Sequence, residues 1–358
     1  MIRIFVPVLL GSVLAAYSAD LASGGPGPFR VSTNLVVTPV TVFDKHGAYV
    51  DGLEPSQFHL YDNNSKQKID VDLAYQPISM VIAIQANQQL EAILPQVRKI
   101  GVMITPLVIG ERGEAAVIAY DSRIRKLQEF TSNSDQITET IRTITPGGSS
   151  SRLIDAVDEG AHMLGSRPRS RRRVILLIGE TRDLGSEVRA REALMRLQLS
   201  NVVLYAVDIS RFIATLREPY QQPRWESRPP ASFPPLPAGF ARTPTTVDQA
   251  FGLEGHAAQF VPLLVELFKD ARAVFNENPV ELFTKGTGGR EFGFYRQRGL
   301  EDAIQQIGEE LHSQYLVSYS PNNTTENGFH RIIVQISGPA SVGKVQTRPG
   351  YWVGPRLN

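Results

Sequence analysis

The sequence predicts an α/β protein: a doubly wound, mostly parallel sheet inserted in a small antiparallel β-sandwich. Two observations support this. Between residues 77 and 313, short apolar segments alternate with segments of helical spacing, which is typical of a parallel sheet covered by helices on both faces. Residues 29–76 and 314–354 instead carry alternating, β-rich sequence, so we expect these two flanks to pair into the sandwich.

The N-terminal flank contains no segment of helical spacing. The stretch "FRVSTNLVVTPVTVFDKHGAYV" is rich in Val and Thr and has turn residues at 44–47. The next stretch, "FHLYDNNSKQKIDVDLAY", predicts a second pair of strands that turn at Asn63 and Asn64. We therefore expect antiparallel strands throughout residues 29–76.

From Pro77 onward, the sequence predicts alternating strands and helices in place of the antiparallel strands of the N-terminal flank. The expected strands are "ISMVIAI", "EAAVIAY", "RRVILLIG", "NVVLYAVDI" and "REFGFYR". The expected helices are "LEAILPQVRKIGVMITPLV", "SDQITETIRTI" with a Ser/Asp cap, "RLIDAVDEGAHML", "SEVRAREALMRLQL", "HAAQFVPLLVELFKDARAVF" and "LEDAIQQIGEELH". The C-terminal flank returns to strands at "QYLVSYS", "HRIIVQIS" and "VQTRPGYWV".

Two segments stand apart from this alternation. Residues 1–19 combine Arg3, an apolar run and small residues, which predicts a signal peptide and hence a secreted or periplasmic protein. No later segment is apolar for long enough to predict a transmembrane span after signal cleavage. Residues 211–253 are crowded with proline and predict a long loop, whose aromatic side chains Tyr220 and Trp225 are candidates for partner binding.

Composition narrows the classes of function. The chain of 358 residues has a formal net charge of +1, which gives no overall case for nucleic acid as a partner. It has no cysteine, so thiolate metal sites and cysteine nucleophiles are excluded. Its six histidines show no close metal-binding spacing, and no motif for a serine nucleophile is present. We therefore expect no enzymatic activity and no cofactor.

Three loops are the places where a binding site is expected. Open parallel sheets bind ligands beyond the carboxyl ends of their strands. The loops at this edge are Gln85 to Gln89, Pro146 to Arg152 and Gly179 to Ser186. Each loop alone also fits a solvated turn or a helix entry. Their occurrence after the appropriate strands favours a shared site.

These stretches resemble the von Willebrand factor type A domains, and more narrowly the acidobacterial VWFA-related family of exported proteins. The resemblance covers nearly all of the chain after residue 19. The residues that carry it lie in "NLVVTPVTVFDKHGAYVDGLEPSQFHLYDN", "PISMVIAIQANQQL", "TITPGGSSSRLIDAV", "RRVILLIGETRD", "TGGREF", "IGEELHSQYLVSYSP" and "RPGYWV". The resemblance implies a Rossmann-like doubly wound sheet and a metal-ion-dependent adhesion site on the three loops.

The implied metal ligands have all changed. Where the family has Asp-x-Ser-x-Ser, this chain has Gln85, Asn87 and Gln89. Ser151 stands at the Thr position, and Glu180 stands at the Asp position after the third strand. Mg²⁺ prefers octahedral oxygen ligands that include carboxylates. With one acid in place of two, and with bulkier amides, we expect a degenerate site that does not hold Mg²⁺; the amides would hydrogen-bond each other and the backbone instead.

The sequence therefore predicts a non-enzymatic interaction module whose top loops bind an unidentified protein partner without a metal. The candidate contact residues are Gln85, Asn87, Gln89, Ser149, Ser151, Glu180, Tyr220 and Trp225. One alternative hypothesis is adhesion that depends on Mg²⁺, and another is a structural or assembly protein of the cell envelope. The basic run "SRPRSRRR" is interpreted as a solvated connection at the opposite end of the sheet.

Overall fold

The computed structural model describes residues 35–73, 76–210, 212–213, 278–293, 299–323, 328–338 and 342–353. The predicted signal peptide, the helix predicted at 256–275 and the aromatic side chains of the proline-rich segment all lie outside the described residues. Within the described ranges, no helix has the length and apolar character needed to cross a bilayer.

The described strands and helices are numbered in chain order. The strands are β1 (Val36–Asp44), β2 (Phe58–Asp62), β3 (Ser65–Lys66), β4 (Ile69–Leu73), β5 (Ile78–Gln85), β6 (Glu114–Tyr120), β7 (Ile124–Thr131), β8 (Arg172–Gly179), β9 (Val202–Asp208), β10 (Glu291–Gly293), β11 (Tyr315–Tyr319), β12 (Gly328–Ile336), β13 (Val342–Thr347) and β14 (Gly350–Val353). The helices are α1 (Leu94–Ile104), α2 (Ser134–Arg142), α3 (Leu153–Gly165), α4 (Ala190–Leu199), α5 (Pro279–Thr287) and α6 (Gly299–His312).

The central sheet is mostly parallel, as predicted. Its strand order is β10-β9-β8-β5-β6-β7, and β7 is its antiparallel strand. The chain builds outward from β5 to β6 and β7, and then returns to the other side of β5 to build β8, β9 and β10. This reversal of strand order is what defines a doubly wound sheet, and it places the loops after β5 and β8 next to each other.

Both faces of the central sheet are covered by helices. Along β5, Met80, Ile82 and Ile84 belong to the buried cluster that includes α1, α2 and α6, while Val81 and Ala83 belong to the cluster that includes α3, α4 and α5. Every residue of β5 is buried. The uninterrupted apolar run of this strand is therefore explained by burial on two sides.

The flanks form two further sheets, both antiparallel. Their strand orders are β13-β1-β11-β4 and β14-β12-β2-β3. Strands from before and after the α/β region are neighbours in each: β1 pairs with β11, and β2 pairs with β12. Side chains of both sheets share one buried cluster. The predicted turn at Asn63 and Asn64 joins β2 to β3, with both residues at positive φ, as a type I′ hairpin turn requires.

Several boundaries differ from the sequence-based prediction. β7 was not predicted. The stretch "VQTRPGYWV" forms two strands rather than one, because the chain leaves one antiparallel sheet at Arg348 and Pro349 and enters the other. Helix α2 is capped by Asn133, whose side-chain oxygen accepts hydrogen bonds from the backbone N–H groups of Asp135 and Gln136, and not by the Ser/Asp pair that follows.

The interpretation of the basic run as a solvated connection is wrong for most of its residues. Arg172 and Arg173 are buried, and Arg167 and Arg171 form ion pairs with Glu114. The guanidinium of Arg173 donates to the backbone oxygens of Ser200 and Arg167, at 2.7 and 2.5 Å. Of the five arginines, only Arg169 is exposed. The run joins β8 to its neighbours at the end of the sheet opposite the candidate site.

Candidate functional site

The three predicted loops meet at the carboxyl edge of the central sheet. The backbone N–H of Gly147 donates to the oxygen of Ala86 at 2.7 Å, and that of Gln88 donates to Gly148 at 3.2 Å. The third loop is joined through Leu184, whose N–H donates to the oxygen of Ser151 at 2.7 Å. These backbone hydrogen bonds hold the loops in one cluster, which we call the loop cluster (85–89, 146–152 and 179–186).

Gln85 and Glu180 form a two-point hydrogen bond at the base of the loop cluster. The Gln85 amide nitrogen Nε2 donates to the Glu180 carboxylate oxygen Oε2 at 3.1 Å. Its oxygen Oε1 accepts from the backbone N–H of Glu180 at 2.7 Å. One buried amide therefore satisfies both the side chain and the backbone of the residue that follows β8.

Three buried side chains, two in the loop cluster and one at the end of β6, have polar atoms without partners among the described residues. Asn87 is 0% exposed, and within the described part of the chain neither its amide nitrogen nor its oxygen forms a hydrogen bond. The same is true of the hydroxyls of Ser151, which is 1% exposed, and of Tyr120 at the end of β6. Unpaired buried polar groups are uncommon and each costs about 1–3 kcal/mol, so their concentration marks this cluster.

The structure separates the predicted site residues into two groups. Gln85, Asn87 and Ser151 are buried, with Glu180 partly exposed beside Gln85. Gln89 and Ser149 are exposed. A 3₁₀ turn over Gln88–Leu90 changes the direction of the chain after Asn87, so Gln89 does not continue the spacing of the two residues before it. Tyr220 and Trp225 lie outside the described residues.

Sequence reasoning missed four residues at this edge. Tyr120 ends β6, and burial, followed by the negative charges of Glu180 and Asp183, raises the pKa of its hydroxyl well above the ordinary value. Asp183 accepts from the N–H of Ile154 at 3.1 Å and so caps the start of α3. Leu184 projects an apolar side chain that is 49% exposed. Both Asp183 and Leu184 lie in the predicted loop "GETRDLGS", but neither was singled out.

Asp121 is the fourth missed residue. It is fully buried directly after β6, and Arg125 forms an ion pair with it at 3.1 Å. A Cβ atom on Gly147 would lie 2.0 Å from the Asp121 oxygen Oδ2, so the glycine is required where the second loop crosses this carboxylate. The signal available in the sequence was a carboxylate immediately after an apolar strand at the expected edge.

A second carboxylate holds the loop cluster rigid. Asp155, in the first turn of α3, accepts from the backbone N–H of Val188 at 2.9 Å and from that of Glu187 at 3.1 Å. Arg152 donates to the same carboxylate at 2.5 Å and also pairs with Glu187 at 2.9 Å. The hydrogen bonds from Glu187 and Val188 thus fix the position of the third loop. Because Arg152 compensates the charge of Asp155, this carboxylate is not free to bind a ligand.

The resemblance implies Mg²⁺ at this position, and the donor set does not fit it. Glu180 is the one carboxylate among the five implied ligand positions, and the Gln85 amide already directs an N–H donor at it. A cation between these two residues would face that donor where it needs an oxygen ligand. Gln89 is exposed, whereas Gln85, Asn87 and Ser151 are buried. Within the described ranges, no three His, Asp or Glu side chains are grouped so as to hold a metal.

A cavity of about 440 Å³ lies elsewhere, between β7 and the C-terminal half of α3. Its charged lining residues include Lys126, Arg167 and Arg196. Each of these is already in an ion pair, with Glu159, Glu114 and Asp158 respectively. Because these cations have partners within the protein, we take the loop cluster, and not this cavity, as the candidate site.

Comparisons with known proteins show a likeness of fold. No protein-family model and no curated protein matches the sequence. Among solved structures, the von Willebrand factor domain of the type V pili tip protein Mfa5 from Porphyromonas gingivalis is 15% identical, with a TM-score of 0.26, over 30% of this chain and 38% of that chain.

Two further solved structures come from Bacteroides. The conserved hypothetical protein BatB from Bacteroides thetaiotaomicron is 12% identical, with a TM-score of 0.30, over 37% of this chain and 66% of that chain. An aerotolerance-related membrane protein from Bacteroides fragilis is 13% identical, with a TM-score of 0.38, over 65% of this chain and 99% of that chain. The match thus spans less than two thirds of Mfa5 and of BatB, and at these scores it carries no conclusion about function. A von Willebrand factor domain is among the folds that this chain resembles.

Proposed function

We propose that this protein is an exported, non-enzymatic interaction module that binds a protein partner through the loop cluster without a metal. The observation that carries the proposal is the two-point hydrogen bond between Gln85 and Glu180. It joins the loops after β5 and β8 directly, so that the binding surface is held in place without a bridging cation.

The surface around this pair supports the proposal of a protein partner. Leu184 is 49% exposed at the edge of the buried polar group. An exposed apolar side chain is suited to the interface core, which is more apolar than the rest of a protein surface. The chain also leaves β9 at this edge, so Tyr220 and Trp225 of the following segment belong to the proposal as further contact candidates.

Two other parts of the proposal rest on separate observations. Export rests on the sequence pattern of residues 1–19. The proposal of a non-enzymatic role rests on the sequence, in which the six histidines have no close metal-binding spacing and no motif for a serine nucleophile occurs. The shared buried cluster of the two antiparallel sheets supports their arrangement as a sandwich that carries the α/β region.

The experiment compares two exposed leucines by crosslinking and partner capture from the native cell envelope. Leu184→Glu changes the proposed contact surface, and Leu199→Glu changes a leucine that is 75% exposed at the end of α4, at the opposite end of the sheet. We expect the wild type and Leu199→Glu to capture the same protein in equal amounts in Mg²⁺ and in EDTA. For Leu184→Glu we expect the amount of captured protein to fall by at least about tenfold. Capture that EDTA abolishes would contradict the metal-free proposal, and equal loss in both variants would contradict the assigned surface.

A further inference from the structure

We infer that copies of this protein associate head to tail, by pairing strand β4 of one copy with strand β13 of the next. These strands are the two edges of one antiparallel sheet, whose order is β13-β1-β11-β4. The inference goes beyond the proposed function, because the contact lies on this sheet and does not involve the loop cluster. It is carried by the direction of the strands, the opposite charges of the two edges and the matching faces of their side chains.

Each of the two edge strands can pair with another chain on its outer side. β4 pairs with β11 on one side, and β13 pairs with β1 on one side. Within the described ranges, no other strand pairs with either of them, and no turn or loop forms a backbone hydrogen bond with them. In an antiparallel ladder the N–H and C=O groups of a strand point alternately to its two sides. The outer groups of both edges are therefore a template for strand addition.

The direction of the strands allows the two edges to pair without turning either copy over. β13 is antiparallel to β1, β1 is antiparallel to β11, and β11 is antiparallel to β4. The two edge strands of one copy thus run in opposite directions. When a second copy lies beside the first in the same orientation, its β13 runs antiparallel to the first copy's β4. The antiparallel sheet then continues from one copy into the next.

The charges of the two edges are opposite. β4 carries Asp70 and Asp72, which are both exposed, and β13 carries the exposed Lys344. None of the three forms an ion pair with another described residue. With Lys68 just before β4, that edge has a net charge of −1, whereas β13 has a net charge of +1. Since like charges on facing residues destabilise a strand pair, pairing of unlike edges is favoured over pairing of two β4 or two β13 strands.

One register matches the side chains on both faces of the joined sheet. With Asp72 opposite Lys344 of the next copy, Val71 lies opposite Val345 of that copy. Val71 and Val345 both pack against the buried cluster of the antiparallel sheets, and both are only partly buried in a single copy. Facing residues of an antiparallel pair project to the same face. This register therefore joins opposite charges on the exposed face and removes apolar surface from water on the inner face.

The contact joins two different edges, so it leaves a β4 edge at one end of every assembly and a β13 edge at the other. Such heterologous contacts generate open chains of copies unless the rotation between copies closes a ring. A contact between two strands of five or six residues is small. We therefore expect weak association, which sets in at about 100 μM protein and decreases as salt is added.

Sedimentation velocity of the intact protein tests the inference by charge reversal. Lys344→Glu, and the double variant Asp70→Lys with Asp72→Lys, each bring like charges together at the contact. Each should weaken self-association by about fivefold or more. Mixed in equal amounts, the two variants should associate again, because the reversed edges match each other and the unchanged edges still match. Lys99→Glu, at an exposed position on α1, is the control and should associate as the wild type does.

Melting temperatures equal to that of the wild type establish that the variants are folded, and if one variant does not fold, the other decides. A wild type that stays monomeric at about 1 mM would overturn the inference. An average mass that stops at that of a dimer would overturn the head-to-tail arrangement. Association of folded Lys344→Glu equal to that of the wild type, equal loss in Lys99→Glu, or a mixture that stays as dissociated as its two components would each overturn the assigned edges.

Discussion

At the scale of single residues, Gln85 decides how the two central loops are joined. An amide has both a donor and an acceptor, so one side chain can face a carboxylate and a backbone N–H at the same time. Gln85 uses both, at 3.1 Å and 2.7 Å from Glu180. A carboxylate at this position would repel Glu180 unless a cation or a proton lay between them.

Gln85→Glu tests this role with an almost isosteric change. The new carboxyl would be buried beside Glu180, and both effects raise its pKa. At pH 7 we expect urea unfolding to show a loss of about 2 kcal/mol, because a hydrogen bond becomes a repulsion. A group whose pKa is raised by folding is penalised above that pKa, so the loss should shrink as the pH falls from 7 toward about 4.

Gln88→Glu is the matched control, since Gln88 is exposed on the same loop. It should change the free energy of unfolding by less than about 0.5 kcal/mol at either pH. Equal stability of Gln85→Glu and the wild type at pH 7 would contradict the assigned role of the amide.

Part of the site could be predicted at this scale. The pattern of strands and helices predicted the three loops, and the resemblance to von Willebrand factor type A domains then implied Gln85, Ser151 and Glu180 as positions within them. Gln89 could not be placed, because the 3₁₀ turn at Gln88–Leu90 depends on contacts that no spacing rule contains. Tyr120 was assigned to a strand, but its hydroxyl reaches the site only because β6 lies next to β5 in the sheet.

At the scale of elements, an ion-pair group joins β6 to the segment between α3 and β8. Glu114, at the start of β6, accepts from Arg167 at 2.8 and 2.7 Å and from the Ser79 hydroxyl at 2.6 Å. Arg171 lies 3.2 Å from the same carboxylate. Burial raises the pKa of Glu114, but the hydrogen bonds from Ser79 and Arg167 and the charges of both arginines outweigh it, so the net pKa is lowered.

Glu114→Gln should therefore destabilise the protein in a pH-dependent way. A carboxyl whose pKa is lowered by folding contributes stability above its unfolded pKa of about 4.3, and this contribution is lost as the pH falls through the lower folded value. We expect urea unfolding to show a loss of about 2 kcal/mol at pH 7 and a smaller loss below about pH 4.

The matched control is Glu139→Gln, which breaks an exposed Glu139–Arg142 pair with equally short distances of 2.7 Å. Its effect should stay small, because exposed ion pairs contribute little to stability. An equal loss in the free energy of unfolding for both variants at pH 7 would contradict the idea that burial strengthens the contribution of the Glu114 ion pairs.

The elements that could be predicted are those with a clear period. β5 and β8 are buried along their whole length, and their apolar runs allowed both strands to be predicted from the sequence. β7 has no fully buried residue and no alternation of polar and apolar residues, so nothing in its sequence marked it as a strand. It forms a strand because β6 offers it an edge to pair with.

At the scale of the whole molecule, the described residues after residue 34 belong to one compact unit, although the sequence divides them into flanks and a central region. Gln314 links the parts: its oxygen accepts from Arg172 of β8 at 2.6 Å, and its nitrogen donates to Thr41 of β1 at 3.1 Å. Arg172 also donates to the backbone oxygen of Leu311. Burial lowers the pKa of Arg172 to about 10.

These links could not be predicted from the sequence, since their partners are separated by more than a hundred residues. The strand order could be expected from the alternation of strands and helices, because chain connectivity restricts a parallel sheet to few arrangements. That order brings the ends of β5 and β8 together, and the amide pair between them is the basis of the metal-free account.

The most direct test is a calorimetric titration of the full-length protein with Mg²⁺, repeated with Mn²⁺ and Ca²⁺. With the Gln85 amide donating to the implied metal ligand Glu180, we predict no saturable heat and no change in melting temperature at millimolar cation. Saturable one-to-one binding of Mg²⁺ that Glu180→Gln abolishes would contradict the account.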